Sequence, residues 1–245
     1  MPKRTIARPS PDPNLAHVAA LIGDPGRSTM LLSLLDGRTL SAGELARRAT
    51  VSPTAASAHL SKLVAGGLIV VQPSGRRRLY RLAGADVGRA LEALAVISKP
   101  ARIVALAQSA IAGELRIARS CYDHLAGRLG VGITDSLVAR KILIPGGSHD
   151  YTITNKGHSY FTAFGLDVAD AQSKRRHFAS QCLDWTEHRS HLAGALGAAL
   201  CDRLLDSGWV VRTQASRALH VTPLGRAALE EHFSLRLSEA TYATR

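Results

Sequence analysis

The chain has 245 residues, 46% of them hydrophobic, and carries 31 Lys plus Arg against 19 Asp plus Glu, a formal net charge of +12. The apolar content excludes wholesale disorder, the length predicts one large or two small domains, and the basic excess favours a polyanionic partner, most simply nucleic acid. No apolar run approaches the ~18 residues of a membrane span, and three cysteines are too few for a disulfide scaffold. We therefore expect a cytoplasmic protein with no membrane partner.

The first hundred residues hold most of the basic excess, whereas all three cysteines and eight of the ten histidines lie beyond residue 100. This division predicts a basic module that holds a polyanion and a second module that holds something small. The proline-rich residues 1–13 are expected to form a flexible arm. Apolar residues at helical spacing then predict helices over about 14–22 and 25–36.

Two helix N-termini follow in quick succession. Ser41 and Glu44 have the spacing of a capping box, which predicts a short helix. Ser52 and Pro53 suit an N-cap and a first helical position, so a second helix is expected to begin there and to stop at Gly66. Two short helices joined by a tight turn form a helix-turn-helix.

A β-hairpin is predicted directly after this motif. Residues 68–71 are β-prone, residues 73–75 are typical of a turn, and the segment 76–82 is predicted to be the return strand. A hairpin in this position is a wing. Apolar spacing then predicts a helix from Asp86 to Ile97.

As a set, these segments resemble the ArsR/SmtB family of bacterial winged-helix repressors over about residues 14–98. The motifs that carry the resemblance are GDPGRSTMLLSLL (23–35), LSAGELA (40–46), SPTAASAHLSKL (52–63), GLI (67–69) and GRRRLY (75–80). The resemblance implies a homodimeric transcriptional regulator that binds an inverted-repeat operator. It further implies a repressor that is released by a metal, an oxidant or another effector.

In a helix-turn-helix the second helix enters the major groove, and a wing meets the neighbouring backbone or minor groove. The second helix here offers hydroxyl and methyl groups, which predict modest direct readout of bases. A solvated turn is the alternative interpretation of the wing arginines, and a solvent-facing or phosphate-facing side chain is the alternative for His59. The expected DNA-contacting residues are Ser52, Thr54, Ala55, Ser57, Ala58, His59, Ser61, Lys62, Arg76, Arg77 and Arg78.

The metal sites typical of the family have no counterpart in this sequence. One uses a Cys-Val-Cys motif on the first helix of the helix-turn-helix, where residues 40–45 contain no cysteine. The other uses Asp and His on the last dimer helix, where residues 86–97 contain no histidine. We therefore expect any sensor to lie beyond residue 100.

An internal repeat occupies about residues 121–165 and 188–232. HLAGRLG at 124–130 matches HLAGALG at 191–197, and a Thr-x-x-Gly motif recurs further along each copy. Each copy is predicted to be a degenerate half of a winged helix. Because the repeat hairpins lack an arginine cluster, we expect a ligand-holding or dimer-stabilising domain rather than a second DNA-binding one.

Cysteine and histidine residues accompany both copies of the repeat. The spacing of Cys121 and His124 places both side chains on one face if the segment is helical. A pseudo-twofold between the copies would bring Cys121, His124, Cys182 and His191 into a Cys2His2 set suited to zinc or another divalent metal. The effector or metal candidates are Cys121, His124, Cys182, Asp184, His188 and His191.

Two other interpretations of this cluster stay open. Cys121 with a lowered pKa would sense oxidants or electrophiles. Alternatively, His-Leu-Ala-Gly is a packing motif and the cysteines are buried apolar residues. An enzyme that uses Cys121 and His124 is not expected, because no phosphate loop, dinucleotide fingerprint or nucleophile elbow occurs.

Together these patterns predict a mainly α protein with small β wings. A winged helix-turn-helix DNA-binding domain is expected over residues 14–99. A C-terminal effector or dimerisation domain, built from two degenerate winged-helix-like repeats, is expected over residues 100–245.

Overall fold

The computed structural model describes residues 12–75, 77–99, 106–147, 149–214 and 216–237. Most of the arm predicted over residues 1–13 lies outside the described residues, and so does Arg76. The chain forms two compact units: unit 1 is made of the residues up to Leu32 and of Thr39–Ala83, and unit 2 of Ser33–Arg38 and the residues from Gly84 onward. In the described part of the chain, no helix is long and apolar enough to cross a membrane.

Unit 1 contains four helices and a small sheet in its described residues. Its elements are α1 (Leu15–Ile22), α2 (Pro25–Ser33), β1 (Leu40–Ser41), α3 (Ala42–Ala49), α4 (Pro53–Ala65), β2 (Ile69–Ser74) and β3 (Arg77–Leu82). The strands form an antiparallel sheet in the order β1-β3-β2, with Leu40 opposite Tyr80. Strand β1 was not predicted, because two residues are too few to show an alternating pattern.

Short-range hydrogen bonds set the helix-turn-helix formed by α3 and α4. The predicted capping box is present, since Glu44 N donates to Ser41 Oγ at 3.3 Å and Ser41 N donates to Glu44 Oε2 at 2.8 Å. Thr50 ends α3 in the left-handed region, with φ 53°. Ser52 Oγ then accepts a bond from Ala55 N at 3.2 Å and starts α4. The motif is therefore specified largely by local side-chain chemistry.

Helix α4 is amphipathic. Ala56, Leu60 and Leu63 repeat at helical spacing and are buried. The core of unit 1 also contains Met30, Leu31, Leu45, Ile69 and Leu82, each at most 1% exposed. The opposite face of α4 is left toward solvent.

Unit 2 repeats one order of elements. It begins with α5 (Ala85–Ile97) and α6 (Leu106–Ile117). The next elements are β4 (Arg119–Cys121), β5 (His124–Ala126), α7 (Gly127–Ala139), β6 (Leu143–Pro145), β7 (Tyr151–Ile153), α8 (Asn155–Ala163) and α9 (Val168–Ser173). The last are β8 (Ser180–Leu183), β9 (Ser190–Ala193), α10 (Gly194–Asp206), β10 (Val210–Arg212), β11 (Leu219–Val221) and α11 (Pro223–Phe233). The order strand, strand, helix, strand, strand, helix thus occurs from β4 to α8 and again from β8 to α11.

Helix α5 belongs to unit 2. The sequence had predicted this helix to be part of the DNA-binding domain over residues 14–99. The Glu92 carboxylate forms an ion pair with Arg217, and both side chains are at least nine-tenths buried. Gly88 lies against the Tyr122 ring so closely that an added Cβ would meet the ring at 3.1 Å. These contacts are distant in sequence, so no local pattern marks them.

The closing helices α8 and α11 begin in the same way. Thr154 Oγ1 accepts a bond from Gly157 N at 3.0 Å, and Thr222 Oγ1 accepts one from Gly225 N at 2.9 Å. A Cβ at either glycine would lie 2.3 or 2.0 Å from a backbone carbonyl oxygen. The Thr-x-x-Gly motif therefore caps each helix and lets its backbone approach the preceding segment closely.

Helices α7 and α10 supply the centre of the unit 2 core. Their buried leucine and isoleucine residues recur four positions apart and belong to one apolar cluster, with members that include Leu129, Ile133, Leu137, Leu196, Leu200 and Leu204. Gly127 and Gly194 join β5 and β9 to these helices with φ values of +74° and +82°. The core thereby fixes the two hairpins β4–β5 and β8–β9, which lie directly before these helices.

Candidate functional site

The outer face of α4 carries short polar and methyl side chains. Ala55 is half-buried, whereas the remaining expected contacts on this helix, apart from His59, are exposed. The exposed ones are Ser52, Thr54, Ser57, Ala58, Ser61 and Lys62. Apart from Lys62, these side chains are small, which lets a helix of this kind approach a flat or grooved partner closely.

His59 lies against the start of α2. Its Nδ1 atom is 3.7 Å from Asp24 Oδ1 and 3.5 Å from Arg27 Nη1. Arg27 is held in turn by the carbonyl oxygens of Leu21 and Ala20, both at 2.7 Å. This placement ties α4 to α2 and leaves His59 less available to a partner than its exposed neighbours.

Exposed arginines flank α4 in sequence. Arg77 and Arg78 begin β3 opposite Ser74 and Pro73, and both are exposed. Arg47, in the last turn of α3, is also exposed and was not predicted as a contact. Its position in the last turn of α3 is the one sequence feature that could have marked it as a DNA contact. Basic residues are common at that position of helices, because they interact favourably with the helix dipole.

In unit 2, two antiparallel ladders each pair a cysteine with a histidine. Cys121 on β4 lies opposite His124 on β5, and Cys182 on β8 lies opposite His191 on β9. The prediction that Cys121 and His124 share a helix face is wrong, because the segment is a tight hairpin. Tyr122 turns the chain there with φ +59°, and its N–H donates at 2.6 Å to a carbonyl far away in sequence.

The two ladders bring these four side chains together. Their ligand atoms all lie within 4.8 Å of one another. His124 Nε2 is 3.2 Å from His191 Nε2, and Cys121 Sγ is 3.8 Å from Cys182 Sγ. His191 is fully buried, His124 and Cys121 are 4% and 2% exposed, and Cys182 is half-buried.

Asp184 supports this group without belonging to it. Its carboxylate accepts bonds from Gly127 N at 2.7 Å and Thr186 N at 2.9 Å, and Arg119 lies 3.0 Å away. His191 Nδ1 lies 3.3 Å from the same carboxylate. These other groups hold the Asp184 carboxylate in place directly behind the His191 ring.

Asp123 has the same place behind His124. Its Oδ1 atom is 3.2 Å from His124 Nδ1, and Arg176 forms an ion pair with the carboxylate. Sequence reasoning missed Asp123, although it directly precedes His124, and missed Arg176, for which no signal exists. His188 is exposed and lies outside the group of four.

Burial and charge act in opposite directions on the pKa values of the group. Burial disfavours protonated His124, but Asp123 and Cys182 outweigh it and raise the pKa of the imidazole to about 9. A hydrogen bond from Cys121, together with the two imidazoles, lowers the pKa of the Cys182 thiol far below its usual value. The same hydrogen bond and burial raise the pKa of the Cys121 thiol. The lowered pKa favours the thiolate form of Cys182, which is the form that binds metals and reacts. Burial raises the pKa of the remote Cys201 to about 12.

A cavity of about 300 Å³ borders the group. It is lined by Cys121, His124 and Cys182 and by Gly88 and Glu92 from α5. The cavity gives an ion or a small molecule a route to the sulfur atoms.

Residues 22–72 match a family described as a helix-turn-helix domain. The chain is 42% identical over 226 residues to the HTH-type transcriptional regulator YdfF of Bacillus subtilis. The matched region covers 92% of this chain and 100% of YdfF. It is also 38% identical over 77 residues to the HTH-type transcriptional regulator CmtR of Mycobacterium bovis. That matched region covers 31% of this chain and 64% of CmtR.

Among solved structures, a winged helix-turn-helix DNA-binding domain of Mycobacterium bovis described as a possible ArsR-family regulator is 31% identical, with a TM-score of 0.32. It covers 34% of this chain and 76% of that one. The near full-length identity to YdfF decides the family. The chain belongs to the HTH-type transcriptional regulators, and its helix-turn-helix is followed by the β2–β3 hairpin as a wing.

Proposed function

We propose that this regulator binds an inverted-repeat operator as a homodimer through α4 and the β2–β3 wing, and that an effector held by unit 2 releases it. The observation that carries the proposal is the exposed face of α4, which is followed in the chain by an exposed arginine pair. On this account the protein is a repressor, and unit 2 is a pair of degenerate winged-helix-like repeats.

The side chains of α4 suit a major groove. Serine and threonine hydroxyls hydrogen-bond to several bases, and alanine methyl groups contact thymine methyl groups. The N-terminus of α4, capped by Ser52, also favours a phosphate. Arg77 and Arg78 would neutralise phosphates beside the groove, which positions α4 and makes affinity depend on salt.

Two exposed apolar faces support a homodimer. On α5, Leu94 and Ile97 are 41% and 79% exposed and lie three residues apart, so they share one face. On α1, Leu15 and Val18 have the same spacing and are also exposed. Burying such faces against a second copy would stabilise the dimer, and a twofold dimer presents two α4 helices to half-sites about 10 base pairs apart.

The hairpins of unit 2 favour a role other than DNA binding. The segment from β6 to β7 contains no Lys or Arg. In the β10–β11 hairpin, Arg212 donates to the Asp36 carbonyl at 3.1 Å and Arg217 pairs with Glu92 inside the unit. Because these arginines are occupied within unit 2, the described hairpins offer little charge to phosphates.

Catalysis by Cys121 and His124 is not proposed. Cys121 is 2% exposed, which does not suit a nucleophile. The relatives at hand are transcriptional regulators. An effector needs only a coupling free energy of about 1–3 kcal/mol between units to change operator affinity several-fold to about a hundredfold.

The operator is identified by selecting duplexes from a random pool with the purified full-length chain. We expect the enriched sequences to form an inverted repeat and the complex to contain two chains per duplex by light scattering. Enrichment of no sequence above background, or a stable complex with one chain, would contradict the proposal.

A further inference from the structure

Two separations within the group of four ligand atoms match those of a tetrahedral metal site, and all four atoms lie within 4.8 Å of one another. Zinc lies about 2.3 Å from thiolate sulfur and about 2.0–2.1 Å from imidazole nitrogen. Tetrahedral geometry then separates two sulfur ligands by about 3.8 Å and two nitrogen ligands by about 3.3 Å. The observed separations are 3.8 Å between Cys121 and Cys182 and 3.2 Å between His124 and His191.

We propose that Cys121, His124, Cys182 and His191 bind one zinc ion, or another thiophilic divalent ion of tetrahedral preference, in each chain. Two thiolates and two imidazoles select such ions over magnesium and calcium, which prefer oxygen ligands. Four protein ligands complete the coordination, as in structural zinc sites. The ion would join the β4–β5 and β8–β9 hairpins and so staple the two halves of unit 2.

The two carboxylates behind the histidines support a cation between the rings. Asp123 and Asp184 lie 3.2 and 3.3 Å from the Nδ1 atoms of His124 and His191. When both rings are neutral and each carries its proton on Nδ1, the two Nε2 lone pairs face each other across 3.2 Å, and a bound cation accepts both. Carboxylates placed behind ligating histidines are typical of zinc sites.

A disulfide does not explain this geometry equally well. A bonded pair of sulfurs is about 2.05 Å apart, and all three cysteines are free. The cavity beside the sulfurs provides the entry path that an ion needs. The proposal concerns what unit 2 binds and stands whether or not unit 1 binds an operator.

Cobalt substitution tests the site in the full-length chain. Metal is removed with a chelator under reducing conditions, and Co²⁺ is then added. We expect one cobalt per chain, intense visible bands typical of tetrahedral coordination and a thiolate charge-transfer band, all lost when zinc is added. Cys121→Ser and Cys182→Ser should remove the charge-transfer contribution of one sulfur each. The exposed His188→Ala, in the same segment, serves as the matched control and should leave the spectrum unchanged.

The positioning role of Asp184 has a separate readout. Asp184→Asn should keep the tetrahedral cobalt spectrum while zinc affinity, measured by competition with a chromophoric chelator, falls about 10- to 100-fold. An unchanged zinc affinity would show that Asp184 does not position His191 for zinc binding.

Protection from alkylation tests the same claim in the unaltered chain, in case a variant does not fold. Zinc should slow modification of the half-buried Cys182, whereas the buried Cys201 should stay unmodified with and without zinc. Weak octahedral cobalt bands, a full charge-transfer band in both cysteine variants, or no protection by zinc would overturn the proposal. A Cys121–Cys182 disulfide that persists in the presence of reductant and excess metal would also overturn the proposal.

Discussion

The two units of this regulator differ in the surroundings of the arginines that bear on function. In unit 1, Arg47 on α3 and Arg77 and Arg78 on β3 are exposed. Unit 2 buries Arg119 against Asp184 and Arg217 against Glu92. Buried charges cost free energy unless they are paired, and such groups are concentrated at functional sites. The net charge of +12 therefore hides a difference between the units. Unit 1 has a basic surface that suits phosphates, and unit 2 has an interior that suits an ion.

The largest expected effect is on the stability of unit 2. Arg119→Ala should lower the free energy of unfolding by about 3–5 kcal/mol, because it leaves Asp184 buried without its cation. The control is Arg189→Ala, which removes an exposed ion pair with Asp135 and should cost at most about 1 kcal/mol. Urea unfolding of both variants measures the difference. Equal losses would show that burial does not distinguish the two ion pairs.

The next effect concerns DNA binding by unit 1. Arg77→Ala combined with Arg78→Ala should weaken operator binding at low salt and reduce the slope of log affinity against log salt by about two, one for each lost phosphate contact. Arg116→Ala combined with Arg128→Ala removes the same charge from exposed positions of unit 2. Fluorescence anisotropy across a salt titration should show the smaller slope in the first variant alone. A matching decrease in the second would mean that net charge, rather than the wing, binds the operator.

The smallest expected effect compares the two halves of unit 2. Thr154→Ala and Thr222→Ala each remove the N-cap of a closing helix, and each should cost about 1 kcal/mol of unfolding free energy. Ser159→Ala is the control, because its exposed hydroxyl bonds only to the carbonyl of Asn155 inside α8. Thermal unfolding followed by circular dichroism compares the three variants. A large loss from one threonine and none from the other would break the equivalence of the halves.

Local chemistry made much of this fold predictable. The caps at Ser41 and Ser52 and the hairpin near residues 69–82 depend on neighbours a few positions away, and all three appear as expected. The approach of His124 to His191 was predicted from the repeat offset, because equivalent positions in a pseudo-symmetric pair tend to approach the same axis, and the Cys2His2 set was one of the interpretations built on it. The helix expected at Cys121 was wrong, since a distant backbone contact holds Tyr122 at a positive φ.

The remaining features depend on pairings that no spacing shows. The register that sets Cys182 opposite His191 spans a connecting loop, and its length differs from that of the other hairpin. Arg176 and Arg119 reach their carboxylates across 53 and 65 positions of sequence, respectively. Such partners become visible only when the core has set the relative placement of the hairpins within unit 2.

The most direct test of the division between the units measures two quantities, bound zinc per chain and the salt slope of operator binding, in two variants. The wing double variant should retain one zinc per chain and lose slope. Cys182→Ser should lose zinc and retain the slope of the unaltered chain. Loss of zinc in the wing variant, or loss of slope in Cys182→Ser with zinc retained, would contradict the assignment of DNA binding to unit 1 and ion binding to unit 2.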